Sequence, residues 1–193
     1  MPRLRLEQFA PLMLEPLNLV IDAGETVTLS GPSGSGKSRL LRAIADLDPH
    51  RGTAWLDDRA ADAMPAPQWR RSVGFLPAES HWWEEHVDQH FIATPDLQAL
   101  GLADSIMHAP VGHLSSGERQ RLAIFRMLQQ QPQVLLLDEP TANLDPHHTQ
   151  LAEAWLLGYQ QRSGAPILWV THDPEQRRRV GARHLEIRNN RVI

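Results

Sequence analysis

Residues 31–38 read Gly31-Pro32-Ser33-Gly34-Ser35-Gly36-Lys37-Ser38, which fits G-x-x-x-x-G-K-[ST]. This loop constrains the fold because it works only between a buried strand and a helix. Both flanks comply. Residues 25–30 read as a short buried strand, and residues 38–45 follow with helical character. The three glycines free the backbone so that successive N–H groups converge on an anion. The helix N-terminus adds its dipole. Lys37 is the one lysine in the chain: of 19 basic residues, 18 are arginine. A guanidinium is a wide, flat fork, whereas an ammonium is compact enough to reach between two phosphates. The loop as a whole, Pro32, Ser33 and Ser35 included, therefore predicts a nucleotide triphosphate cradle. Lys37 is expected on the β- and γ-phosphates and the Ser38 hydroxyl on Mg²⁺.

At 193 residues the chain has room for one domain with a sizeable core, expected to span 1–193 without a Gly/Ser linker. The net charge is −4 and the pI about 6.2, so no basic surface points to nucleic acid as a partner. The absence of cysteine excludes disulfide and thiolate chemistry. The first residues lack the apolar core of a signal peptide, and no apolar run reaches the ~20 residues that span a bilayer. The expectation is a cytoplasmic chain whose membrane role, if it has one, comes through a partner.

Strand-like runs at 4–7, 17–21, 26–30, 53–56, 73–76, 134–138, 167–171 and 184–187 alternate with helical ones at 37–46, 116–128, 146–161 and 174–180. That alternation predicts an α/β fold with a mostly parallel sheet covered on both faces and an N-terminal antiparallel β part. Residues 79–128 lack strand character and read as a short helical subdomain inserted into the sheet.

Val134-Leu135-Leu136-Leu137-Asp138-Glu139 is an apolar strand ending in two carboxylates. Open α/β sheets bind ligands at such strand ends. Asp138 can organise Mg²⁺, and Glu139 can orient and deprotonate a water aimed at the γ-phosphate. Leu114-Ser115-Ser116-Gly117-Glu118 reads as a capped helix start. It also resembles the ABC ATPase signature Leu-Ser-Gly-Gly-Gln, departing from it at Ser116 and Glu118. Ala142-Asn143-Leu144-Asp145 resembles that family's D-loop, and Val170-Thr171-His172-Asp173 its switch-histidine loop. These elements follow one another in family order over nearly the whole chain. The resemblance implies a P-loop NTPase fold, ATP and Mg²⁺, and His172 as γ-phosphate sensor. It further implies a head-to-tail homodimer on ATP binding, in which Ser115, Gly117 and Asp145 complete the partner's site.

Three features depart from the family pattern. The loop glutamine expected after residues 73–76 is replaced by Ala78, with Glu79 beside it. Glu79 is either a substitute Mg²⁺ ligand or a solvated loop acid. The base-stacking tyrosine is missing, since the one tyrosine is Tyr159. Phe9 is the nearest aromatic candidate, with core packing as the other reading. In His81-Trp82-Trp83-Glu84-Glu85-His86-Val87-Asp88-Gln89-His90, His86 and His90 have chelating i, i+4 spacing but no evident third ligand. Adjacent tryptophans cannot both face one core, so one ring is expected at the surface, where a partner can dock, unless both pack within the insert.

The leading function is ATP hydrolysis driving transport through a separate integral membrane permease, with the chain peripheral on the inner face of the membrane. The alternative is a soluble ABC-type ATPase in DNA repair, chromosome or translation work. Chromosome-type members place long coiled coils between the two halves, and residues 39–113 here carry no heptads. A GTPase is excluded because its Asn-Lys-x-Asp motif needs a second lysine.

Overall fold

The computed structural model describes residues 2–193. Two sheets frame the chain. One is a four-stranded antiparallel sheet in the order β2(Leu17–Ile21), β1(Leu4–Pro11), β4(His50–Leu56), β5(Arg59–Ala60). The other has six strands in the order β10(Arg191–Val192), β9(Arg183–Arg188), β3(Thr26–Ser30), β8(Ile167–Val170), β7(Val134–Asp138), β6(Val73–Leu76). All its pairings are parallel except β9 with β10. The helices are α1(Lys37–Ile44), α2(Ala66–Ser72), α3(Ser116–Leu128), α4(Pro146–Ser163) and α5(Pro174–Val180). This is the α/β, P-loop NTPase architecture expected from the sequence.

The central strands β3, β7 and β8 are buried at every position, as a parallel sheet covered on both faces requires. Side-chain alternation then sorts them into two cores. Leu29, Leu136 and Val170 pack toward α1 and the antiparallel sheet, with Leu40, Ile44 and Leu6. Leu135, Leu137 and Trp169 pack toward α3 and α4, with Ile124 and Leu156.

Strand β1 runs to Pro11, well past the segment read from the sequence, because it carries a bulge. Its register with both neighbours shifts between residues 6 and 10, and Gln8 takes a left-handed φ of 46°. Gly52 on β4 makes room for it: a Cβ there would lie 2.1 Å from the Gln8 carbonyl oxygen. The extra residue turns Phe9 inward beside Leu4 and Leu6.

Within residues 79–128 regular α-helix is confined to α3. Upstream lie single 3₁₀ turns at Asp88–His90, Asp104–His108 and Val111–His113. Pro95, Gly101, Pro110 and Gly112 punctuate that stretch too closely for longer helices. It still closes over its own apolar cluster, which includes Val87, Leu100, Ile106 and Leu122. No helix among the described residues is long and apolar enough to cross a membrane.

Candidate nucleotide site

The parallel register puts the ends of β3, β7 and β8 side by side. Leu29 and Asp138 each lie opposite Val170. The chain leaves β3 into the glycine loop, β7 into Glu139 and β8 into Thr171 and His172. Backbone bonds tie the exits together: Glu139 N–H donates to the Val170 carbonyl at 3.1 Å, and Thr171 N–H to the Leu29 carbonyl at 3.2 Å.

In the glycine loop, Gly36 is the N-cap of α1 with a left-handed φ of 104° and contributes no capping side chain. The first N–H groups of α1 therefore stay free for an anion. The Ser35 hydroxyl is buried without a hydrogen-bond partner among the described residues. Lys37 is buried, and its Nζ donates to the carbonyls of Gly31 at 2.9 Å and Pro32 at 3.0 Å. Burial lowers its pKa, opposed by the negative charges of Glu139 and Asp138. The ammonium thus sits at the loop's mouth between carbonyls and carboxylates.

Asp138 is also buried. Burial raises its pKa. The neighbouring Ser38 hydroxyl lowers it; Glu139 raises it again, and Lys37 and His172 pull it down. One hydroxyl and one carboxylate form a hard oxygen pair. Mg²⁺ takes such donors alongside substrate phosphates and water rather than needing an all-protein cage, and no cluster of three or more His, Cys, Asp or Glu ligands occurs among the described residues. Glu139 follows the strand with a left-handed φ of 47°, and its Oε1 lies 2.9 Å from His172 Nε2. Lys37, Ser38, Asp138, Glu139 and His172 thus converge.

Ser115, Gly117 and Asp145 stand apart from that convergence in their contacts. Ser115 opens α3 with a reciprocal capping box: its hydroxyl accepts from Glu118 N–H at 3.2 Å, while Glu118 Oε2 accepts from Ser115 N–H at 2.8 Å. A Cβ on Gly117 would lie 3.3 Å from the Asn143 carbonyl oxygen, so the helix start rests on the Asn143–Asp145 loop. Asp145 caps α4, accepting from His148 N–H at 3.0 Å and from His148 Nδ1 at 2.6 Å. These bonds lower its pKa to about 2.

Phe9 cannot stack on a base. It has no exposed surface, because the β1 bulge turns it into the core, where its ring lies 4.4 Å from that of His50. Glu79 is exposed and lines a hollow with Ser116, Arg119 and Asn143. The charged groups acting on Asp138 do not include it, so this arrangement gives no support to Glu79 as a metal ligand. His86 and His90 do not form a chelate. His90 Nε2 accepts from the backbone N–H groups of Trp83 and Glu84 at 3.1 and 3.0 Å, and Nδ1 faces the His86 carbonyl at 3.1 Å, which uses both ring nitrogens to fold the loop. Trp83 is 67% exposed, whereas Trp82 is half-buried against two apolar clusters.

Sequence reading passed over Gln120 and Gln176. Both are buried. Gln120 donates to the Pro140 carbonyl at 3.1 Å, and Gln176 to Thr141 Oγ1 and Glu153 Oε1, each at 2.8 Å. They tie α3 and α5 to the loop that follows Glu139. Polar residues on amphipathic helices read as solvent-facing, and no spacing signal marks these two.

The model of the ABC transporter family matches residues 14–142. The lipoprotein-releasing system ATP-binding protein LolD of Anaeromyxobacter dehalogenans is 34% identical, over 94% of this chain and 84% of that protein. LolD of Maricaulis maris is 38% identical, over 84% and 80%. The probable iron export ATP-binding protein FetA of Escherichia coli is 31% identical, over 85% and 80%. A solved structure of an ATP-binding subunit of an ABC transporter superposes with a TM-score of 0.83 over 98% of this chain and 87% of that one, at 22% identity, a likeness of fold. The glycine loop, the paired carboxylates and the histidine at adjoining strand ends have their explanation in that kinship: the chain belongs to the ABC transporter family, as an ATP-binding, ATP-hydrolysing subunit.

Proposed function

We propose that this subunit hydrolyses ATP as a two-fold dimer docked under a separate integral membrane permease, on the inner face of the cell membrane. Relatives named for lipoprotein release and iron export support outward movement or release of a solute, whose identity the permease sets. The observation that carries the reading is the convergence of Lys37, Ser38, Asp138, Glu139 and His172 at adjoining strand ends.

Each residue has a proposed part in hydrolysis. Lys37 exchanges its two carbonyl partners for the β- and γ-phosphate oxygens. Ser38 and Asp138 are the residues that would hold Mg²⁺, which would supply charge neutralisation for the triphosphate. Glu139 accepts a proton from the attacking water, and His172, already within hydrogen-bond distance of Glu139, orients that carboxylate and meets the γ-phosphate. The His172 and Glu139 side chains remain 49% and 31% exposed, so a second subunit would be needed to exclude water. The Gly117 N–H at the α3 start, and Ser115 on exchanging its bonds to Glu118, would meet the partner's nucleotide, with Asp145 alongside.

The test is sedimentation of Glu139→Gln protein with and without Mg²⁺ and ATP. The expected result is a monomer without nucleotide and a dimer with it. A monomer under both conditions, also with permease present, overturns the dimer.

A further inference from the structure

A hollow of about 660 Å³ opens beside the phosphate loop, and Leu12, Met13, Leu14, Arg39 and His50 help to line it. Two contacts fix it to the loop. A Cβ on Gly36 would lie 3.3 Å from Leu14 Cδ2, so Leu14 forms the wall between loop and hollow. Arg39 follows Lys37 by two residues on α1 and donates to Met13 Sδ at 3.6 Å. The lip is apolar and open: Leu12 is 69% and Met13 59% exposed. Met13 holds a left-handed φ of 77°, a conformation that is costly for a residue with a Cβ.

His50 is the one aromatic ring among the residues lining this hollow. Its ring lies over Phe9 with centroids 4.4 Å apart and planes 31° apart. Phe9 is fully buried, so it acts as a fixed backing that sets the tilt of the imidazole. Among the described residues, His50 Nδ1 has no hydrogen-bond partner; packing, not a polar anchor on that nitrogen, orients the ring. The bulge that removes Phe9 from the surface thus leaves a second ring, from β4, facing the space next to the triphosphate cradle.

We infer that His50 is the base-stacking residue of this subunit, with Leu12 and Met13 supplying apolar surface around the base. A flat π-face stacks on any base, and the gain comes from the ring face rather than from hydrogen bonds. The inference rests on the ATP-binding reading above, and the two fail separately.

The experiment is calorimetric titration of the full chain with ATP and with inorganic tripolyphosphate, for wild type, His50→Ala, His50→Leu and His50→Phe. His50→Leu keeps apolar volume over Phe9 should the alanine variant fold poorly. Loss of the ring is expected to weaken ATP binding about ten-fold in both the alanine and leucine variants. Tripolyphosphate affinity stays unchanged, and His50→Phe binds ATP at least as well as wild type. Wild-type ATP affinity in His50→Leu, or equal weakening of both ligands, overturns the assignment. Failure of the wild type to bind ATP would instead remove the nucleotide reading on which it rests.

Discussion

Glu139 Oε1 and His172 Nε2 meet at 2.9 Å. The contact restrains a carboxylate whose backbone already sits in a left-handed conformation, so its direction is set by more than one constraint. Preorganisation of that kind predicts a clear kinetic split. Glu139→Gln keeps the shape and the ability to bond His172 but cannot take a proton; ATP binding is expected to persist while turnover drops ~10²–10³-fold. His172→Ala frees the carboxylate and removes the proposed γ-phosphate contact; kcat is expected to fall with little change in nucleotide affinity. Lys37→Ala removes the chain's one lysine ammonium, the proposed phosphate clamp, and tight ATP binding is expected to vanish. Binding by calorimetry and phosphate release under saturating ATP separate the three. Wild-type hydrolysis by Glu139→Gln would remove Glu139 as the base, and intact ATP affinity in Lys37→Ala would remove the phosphate clamp.

Helices α3 and α4 start on carboxylates, and acid should loosen both starts. Glu118 is held below its ordinary value of 4.5 chiefly by the Ser115 hydroxyl and then by the Ser115 N–H. Asp145 falls from 3.8 to about 2 through the His148 N–H and side chain. Both folded values lie below the ordinary ones. The stability these carboxylates contribute is therefore full above 4.5 and 3.8 and is lost as pH falls through the lowered values. An NMR pH titration is expected to show the His148 amide moving with a midpoint near 2; a midpoint at 3.8 would mean the cap is not formed. The α3 cap was legible in the sequence, because serine at a helix start is a local signal, whereas Asp145 was read only for its likeness to the D-loop. The central strands were legible for the same kind of reason: full burial leaves continuous apolar runs. The bulge in β1 was not, since Gln8 and Gly52 accommodate each other across a strand pair and neither is unusual alone. That one missed bulge misplaced Phe9. Helix α2, opened by Pro65 and short, gave too little periodicity to be read.

The proposed docking surface for a permease lies at the junction of the sheet and the insert. A groove there is lined by Arg71, Phe75, Pro77, Trp83, Arg126 and Met127, and it follows directly on β6 and the loop holding Ala78 and Glu79. Arg126 lies between the two tryptophans, 4.3 Å from the Trp82 ring and 4.8 Å from that of Trp83, and donates to the His81 carbonyl at 2.8 Å. Burial lowers its pKa, and its Nη1 has no hydrogen-bond partner. The pair of tryptophans therefore divides its labour. Trp82 closes the insert against the core, so Trp82→Ala is expected to lower the melting temperature. Trp83 lays an open ring along the groove, and the nearby insert also exposes Ile92 at 79%. An exposed aromatic ring on a groove of this kind is a candidate anchor for a partner. A cytoplasmic segment of the permease seated there would feel the loop after β6 shift as the subunits close on ATP. Trp83→Ala is expected to leave basal ATP hydrolysis and thermal stability near wild type while weakening permease association by ~2 kcal/mol or more, as loss of a central aromatic anchor does. Titrating labelled subunit into permease held in detergent micelles measures this directly. Unchanged affinity for Trp83→Ala would move the docking surface off this groove.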